Sequence, residues 1–202
     1  DGLAQATPAL LLLAPIKDRR QAMFVHALNV GLLNVLQARS LGIEGTVLHD
    51  LGVAGMLHDI GETQLPTDLP RDGAGRLTEA GWELVKSHTE LGAAMLAGME
   101  GVPPIAVQVA YEHHLRWDGQ PSFPERARGR YPSFASQLVS VADSYDTMVA
   151  SRGLQTAEAR PAAMRVWQQR AGSWLDPFLV SSFTTLLADL DKAGAPAPGA
   201  GA

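Results

Sequence analysis

Apolar residues recur at helical spacing along most of this chain, and nowhere do they alternate with polar ones over a stretch long enough to build a sheet. The clearest stripe, Ala22, Val25, Leu28, Leu32, Val35 and Leu36, lies between Asp18 and Leu41 and stops near Gly42. Leu48, Leu51, Val53, Met56 and Leu57 form a second stripe, broken at Gly61 and Pro66. The Pro-, Gly- and Asp-rich segment from Pro66 to Gly75 reads as a loop. Thr78 can cap a helix that carries Trp82, Val85, Leu91, Met95 and Leu96, with Gly81 and Gly92 permitting a bend. Pro103-Pro104 closes that helix and opens the next, which runs to His113-His114. Trp117 to Pro132 is expected as a long loop and Leu138 to Val149 as a helix, with Thr156 and Asp176-Pro177 starting two more. The fold class that follows is all-α, a bundle of roughly six to eight helices. With 202 residues, one domain is expected over 1–192, followed by a disordered tail, 193–202, made only of Gly, Ala and Pro.

Five of the six histidines fall where a shared site would need them. His26 sits in the first stripe, and His58 is followed at once by Asp59. His88 comes next, then the adjacent pair His113-His114, then Asp143 in Val141-Ala142-Asp143-Ser144-Tyr145-Asp146. Imidazole and carboxylate together suit divalent iron, manganese and zinc. Seven such ligands, one of them a bridging carboxylate, are enough for two neighbouring ions, and an ion pair about 3.5–4 Å apart can activate water against a phosphoryl group. Each residue alone has a blander reading: His26 as a packed core histidine, His58-Asp59 and His113-His114 as helix ends. Only the set points to metal. His49 stands outside it and reads as structural, while Asp146, one turn after Asp143, reads as a group that orients a ligand or caps a backbone group rather than one that binds metal.

Composition narrows the function further. A net charge of −5 argues against general nucleic-acid binding and against binding to an anionic membrane surface. The longest apolar run, Ala9 to Pro15, is far short of the roughly 20 residues that span a bilayer, so no membrane insertion is expected in this segment. Cysteine is absent, which removes disulfides and thiolate ligands and fits a reducing compartment; a cytoplasmic location is expected. The first residue is Asp1, and an upstream sensory or receiver domain, or a protein partner, is expected beyond it.

In order and spacing, several segments together resemble the HD superfamily of phosphohydrolases, and within it the HD-GYP branch. They are His26-Ala27-Leu28-Asn29-Val30, Leu57-His58-Asp59-Ile60-Gly61, and Leu77-Thr78-Glu79 through Lys86-Ser87-His88 to Gly92. His113-His114-Leu115-Arg116-Trp117-Asp118-Gly119, Val141 to Asp146 with Arg152, and Asp176-Pro177 complete them. The resemblance implies an HD-domain helical bundle with a central metal site, hydrolysing cyclic di-GMP or a related phosphoester by a bridging hydroxide. It implies two divalent metal ions, iron or manganese, with zinc also open. His26, His58, Asp59 and Asp143 would hold one, and Asp59, His88, His113 and His114 the other, with Asp59 and His58 as catalytic residues. Arg116, Arg152 and Trp117 would hold the substrate.

Departures from the branch fall outside the ligand set. Ala22 occupies the place of a Glu that holds a third metal in some members, so two ions are expected. Glu62 stands where the branch usually has Lys, Leu115 where it has Glu, and Gln155 where it has a second Lys. Gln120-Pro121-Ser122-Phe123-Pro124 replaces the Gly-Tyr-Pro. Two functions from different classes are therefore expected: a metal-dependent phosphodiesterase, or a catalytically degenerate regulatory module that binds a nucleotide or a protein partner.

Overall fold

The first apolar stripe forms α1 (Arg19–Ser40) and the second α2 (Gly45–Leu57) in a computed structural model that describes residues 19–151 and 159–194. The two helices cross closely because glycines face each other. A Cβ added to Gly55 would stand 3.1 Å from the Gly31 Cα and 3.3 Å from the Val30 carbonyl oxygen. That approach carries the His26 ring to within 5.3 Å of the His58 ring, centroid to centroid.

After α2 come His58, Asp59 and a 3₁₀ turn over Ile60–Gln64, then α3 (Glu79–Lys86), α4 (His88–Ala97) and α5 (Pro104–Glu112). The chain continues through the loop after His114 into α6 (Phe134–Ser151), α7 (Ala159–Gln168) and α8 (Pro177–Gly194). The described residues contain no strand beyond two isolated bridges, Arg71 with Leu77 and Ala171 with Leu175. The helix starts follow their capping chemistry. Thr78 Oγ1 accepts from the Gly81 N–H at 3.2 Å, and Asp176 Oδ1 accepts from the Phe178 N–H at 2.7 Å.

The helix expected from Thr78 to Leu96 is in fact two, broken at Ser87. The Ser87 hydroxyl donates to the Leu84 carbonyl at 2.6 Å, a local bond that competes with the helical ladder. The last helix continues to Gly194, two residues into the expected tail. The rest of that tail and the helix start expected at Thr156 lie outside the described residues.

Helix α1 lies in the middle, packed on α2, α6 and α8. Val30, Leu33, Leu51, Val109, Leu138 and Val141 are buried between these elements and α5, each apolar side chain contributing about 1.5–3 kcal/mol by leaving water. Tyr145, Trp167 and Phe183 form an aromatic cluster at 5.2–5.9 Å that fastens α6, α7 and α8 together. Trp82, Trp117 and Trp174 are exposed instead. One polar latch sets the register of the site. Glu112 at the end of α5 accepts from the Ser133 N–H at 2.9 Å and the Ser136 hydroxyl at 2.8 Å, holding the start of α6. Further along, the Ser140 hydroxyl donates to the His113 carbonyl, so α6 and the His113-His114 step move as a unit.

Candidate metal centre

Five elements bring the seven predicted ligands to one place. His26 comes from α1, His58 and Asp59 from the end of α2, His88 from the first residue of α4, His113 and His114 from the end of α5, and Asp143 from α6. The Asp59 carboxylate is central. Its Oδ1 lies 3.2 Å from Nε2 of both His88 and His113, and its Oδ2 lies 3.2 Å from His58 Nε2 and 3.7 Å from His26 Nε2. Asp143 Oδ1 closes the first group at 3.2 Å from His26 Nε2 and 4.0 Å from His58 Nε2. Two clusters result, each drawn within 4.8 Å: His26, His58 and Asp59, and then Asp59, His88, His113 and His114.

The ring orientations are fixed from behind. His58 Nδ1 donates to the Gly55 carbonyl at 2.8 Å, His88 Nδ1 to Val85 at 2.6 Å, and His113 Nδ1 to Val109 at 3.0 Å. His26 differs: its Nδ1 meets a carboxylate, Asp146 Oδ2, at 2.7 Å. With each Nδ1 carrying the proton, every Nε2 turns a lone pair inwards. Lone pairs then face carboxylate oxygens, and the Nε2 atoms of His88 and His113 face each other at 3.3 Å. His58 Nε2 and Asp59 Oδ1 are buried with no hydrogen-bond partner. Buried orphan acceptors at such separations are what a bound cation satisfies, so the donor set fits divalent metal.

Without metal, protons on the rings partly take the place of the cations. Burial raises the Asp59 carboxyl, but His58, His113 and His88 hold it well below the usual carboxylate range. Burial lowers His26, yet the bonds to Asp143 and Asp146 and the charges of Asp143 and Asp59 push it up to about 10. At His88 burial is likewise outweighed by Asp59, with smaller upward contributions from the Val85 carbonyl and the Glu62 carboxylate. Burial and then His113 hold His114 far below its ordinary value, which keeps that ring neutral and able to bind metal. His26, Asp59 and Asp143 leave the centre an open edge. The side chains of His26, Asp59 and Asp143 are 21%, 26% and 15% exposed, whereas those of His58 and His113 are fully buried.

The residues expected to meet substrate are arranged differently. Arg116 is committed to Asp118, with Nε donating to Oδ1 at 2.9 Å, and its guanidinium lies 4.5 Å over the Trp174 ring. The pair pulls the Asp118 carboxyl down to about 2. Trp117 lines a cleft of about 560 Å³ with Asp118, Tyr131, Phe134 and Asp176, a cleft that none of the ligands lines, and its Nε1 donates to Asp176 at 3.2 Å. Arg152 lies outside the described residues. Two neighbours of the centre carried no role in the sequence reading. Phe123, from the segment that replaces Gly-Tyr-Pro, packs 4.3 Å from the His114 ring, and nothing in its local sequence marks that reach. Asn29 donates to Asp146 Oδ1 at 2.9 Å; its spacing three residues after His26, on the same helix face, is a signal that was there to use. His49 pairs only with Asp50, at 3.0 Å on the surface, away from the centre.

The likenesses to known proteins agree with this geometry. A family model described as HD domain matches residues 14–179. A cyclic di-GMP phosphodiesterase of Pseudomonas aeruginosa is 32% identical over 155 residues, 75% of this chain and 37% of that protein. A cyclic di-GMP phosphodiesterase of Thermotoga maritima is 29% identical over 162 residues, 80% of this chain and 44% of its own length. The chain thus spans less than half of either relative. Among solved structures, an HDG"Y"P protein from Bdellovibrio bacteriovorus, Bd1817, superimposes with a TM-score of 0.69 at 19% identity, covering 92% of this chain and 57% of that one. An all-α bundle gathering these histidines and aspartates, together with the family match across most of its length, makes this chain a member of the HD domain family.

Proposed function

We propose that this domain is a metal-dependent phosphodiesterase acting on cyclic di-GMP or a related cyclic dinucleotide. The observation that carries the reading is the Asp59 carboxylate, which turns one oxygen to His88 and His113 and the other to His58. His26, His58, Asp59 and Asp143 would hold one ion and Asp59, His88, His113 and His114 the other, iron or manganese suiting that mixture of nitrogen and oxygen. Such ions supply Lewis acidity towards a phosphoryl oxygen and acidify bound water.

The chain's own residues do the remaining work. Backbone carbonyls behind His58, His88 and His113 hold the rings in place, so little reorganisation is needed when charge develops on a phosphate. His58 and Asp59 stand at the junction of the two clusters and carry the catalytic assignment. The exposed edge of His26, Asp59 and Asp143 is where a phosphodiester can arrive. Arg116 and Arg152 are the candidates for its negative charge, Arg116 by exchanging the Asp118 carboxylate for phosphate oxygens. The exposed Trp117 ring offers a face on which a base can stack.

The relatives' greater length supports an upstream sensory or receiver domain in the whole protein. No described helix is long and apolar enough to cross a membrane, and a cytoplasmic site of action fits a signalling dinucleotide. Elemental analysis of the purified protein, followed by turnover of cyclic di-GMP and of a chromogenic phosphodiester, tests the proposal. Two ions per chain with hydrolysis supports it. A fully loaded centre that hydrolyses neither substrate overturns it and leaves the regulatory module. That second reading draws on Glu62, whose carboxylate acts on His88 where a lysine would attract phosphate, and on the engagement of Arg116 by Asp118.

A further inference from the structure

We infer that Asp146 is a positioning residue that sets the affinity of one of the two metal sites, the one containing His26, and leaves the other untouched. The inference rests on the ligand sets proposed above. His58, His88 and His113 are each anchored locally, by a backbone carbonyl three or four residues earlier in the chain. Their orientation is therefore local and is shared by any helix that ends or begins there. His26 has no such anchor. Its Nδ1 reaches across from α1 to α6, where Asp146 Oδ2 takes it at 2.7 Å.

The arrangement is a two-helix clamp. On α1, His26 and Asn29 are one turn apart; on α6, Asp143 and Asp146 are one turn apart. Asp143 Oδ1 meets His26 at Nε2, 3.2 Å away, while Asp146 grips the same ring from behind at Nδ1. Asn29 Nδ2 donates to the second Asp146 oxygen at 2.9 Å, so both carboxylate oxygens are engaged and the group cannot swing. Asp146 is 4% exposed, and a carboxylate held dry in that position is unscreened by solvent. Two consequences follow for His26 alone. Its ring plane is fixed by another helix, and its Nε2 lone pair is made more basic by a full negative charge on the far side of the ring. The second site, built from Asp59, His88, His113 and His114, contains neither His26 nor any group bonded to Asp146.

The test is manganese binding to the intact chain and its Asp146→Ala and Asp146→Asn variants, by calorimetric titration of chelated protein with Mn2+ and by paramagnetic resonance of the loaded samples. Wild type is expected to take two ions and give the signal of a spin-coupled pair. Asp146→Ala is expected to keep one ion at native affinity and lose the other by about 10–100-fold, giving the signal of an isolated ion. Asp146→Asn keeps the volume and an oxygen towards His26 while removing the charge, so its affinity at that site should fall between the two. Native affinity for both ions in Asp146→Asn overturns the inference, and so does parallel weakening of both ions in either variant. A wild type that binds no manganese overturns the metal reading itself, whereas two ions in the wild type with unchanged variants overturns only the role given to Asp146.

Discussion

Replacing Gly61 with Ala should disable the centre without touching a ligand. Gly61 lies in the 3₁₀ turn that follows Asp59 and rests on α4, the helix that begins with His88. A Cβ at Gly61 would stand 2.6 Å from the Gly92 nitrogen and 2.8 Å from the His88 carbonyl carbon, and it would overlap the His88 carbonyl oxygen. These are backbone atoms and cannot rotate aside. To relax even the Gly92 contact from 2.6 Å to an ordinary 3.4 Å, the turn and α4 must separate by at least about 0.8 Å, 3.4 minus 2.6, and the nearer His88 carbonyl oxygen demands more. Asp59 rides on one side of that gap and His88 on the other, 3.2 Å apart, and metal ligands tolerate displacements of only about 0.2 Å. Overpacking against backbone costs up to about 3 kcal/mol. For a domain of this size that lowers the metal-free Tm by about 6–12 °C. Thermal melts of chelated wild type and Gly61→Ala, with elemental analysis of the loaded proteins, read both effects. A variant with native Tm and a full complement of metal would refute the reasoning, because the close approach of the turn to α4 would then not be what holds Asp59 against His88.

Other perturbations separate stability from metal binding. Removing metal by chelation should lower the Tm by about 5–10 °C per site that had been held at a hundredfold excess over Kd, since that occupancy is worth about 2.7 kcal/mol, and added Mn2+ should restore it; an unchanged melt counts against the site. Thr78→Ala removes the cap on Gly81 and should cost about 1 kcal/mol, or about 2–4 °C, with no loss of metal by elemental analysis. In chelated protein the His26 imidazole is pushed from 6.5 to about 10, so its contribution is fully present below pH 6.5 and is lost as pH rises through 10. The stability gap between wild type and His26→Gln, measured by urea titration of chelated proteins, should therefore shrink across that window, and a gap that grows contradicts the ion pairs drawn around His26.

What could be read in the sequence depended on whether a signal was local. Thr78, Pro104 and Asp176 announce helix starts through groups within three residues of themselves, and the structure has those starts. The gathering of the candidate ligands was legible through chemistry repeated across the chain, because no single packing pattern explains five histidines and two aspartates at those intervals. The break at Ser87 was hidden, since a serine hydroxyl can bond its own helix or point to water and the sequence does not say which. Whether Arg116 pairs with a carboxylate or meets a phosphate was hidden for the same kind of reason. Its pairing with Asp118 and its stacking on Trp174 depend on a loop geometry that brings Ser173 and Trp174 carbonyls to the Asp118 and Trp117 N–H groups.

The replaced Gly-Tyr-Pro segment and the candidate metal centre are linked through one contact, that of Phe123 with His114. Phe123 packs its ring on His114 at 4.3 Å and stands 6.1 Å from His88, so the segment covers one edge of the cluster formed by Asp59, His88, His113 and His114. A segment that had merely lost its motif would have no reason to place its one aromatic side chain against two ligands. Covering that edge shields the His114 ring, whose lone pair must stay unprotonated to bind metal, and burial is the main cause holding its pKa down. The substitution therefore removes a family signature while preserving the condition that the second cluster needs. A working phosphodiesterase and a metal-loaded regulatory module both need that condition, so the contact speaks for metal binding and turnover of a cyclic dinucleotide is what separates the two.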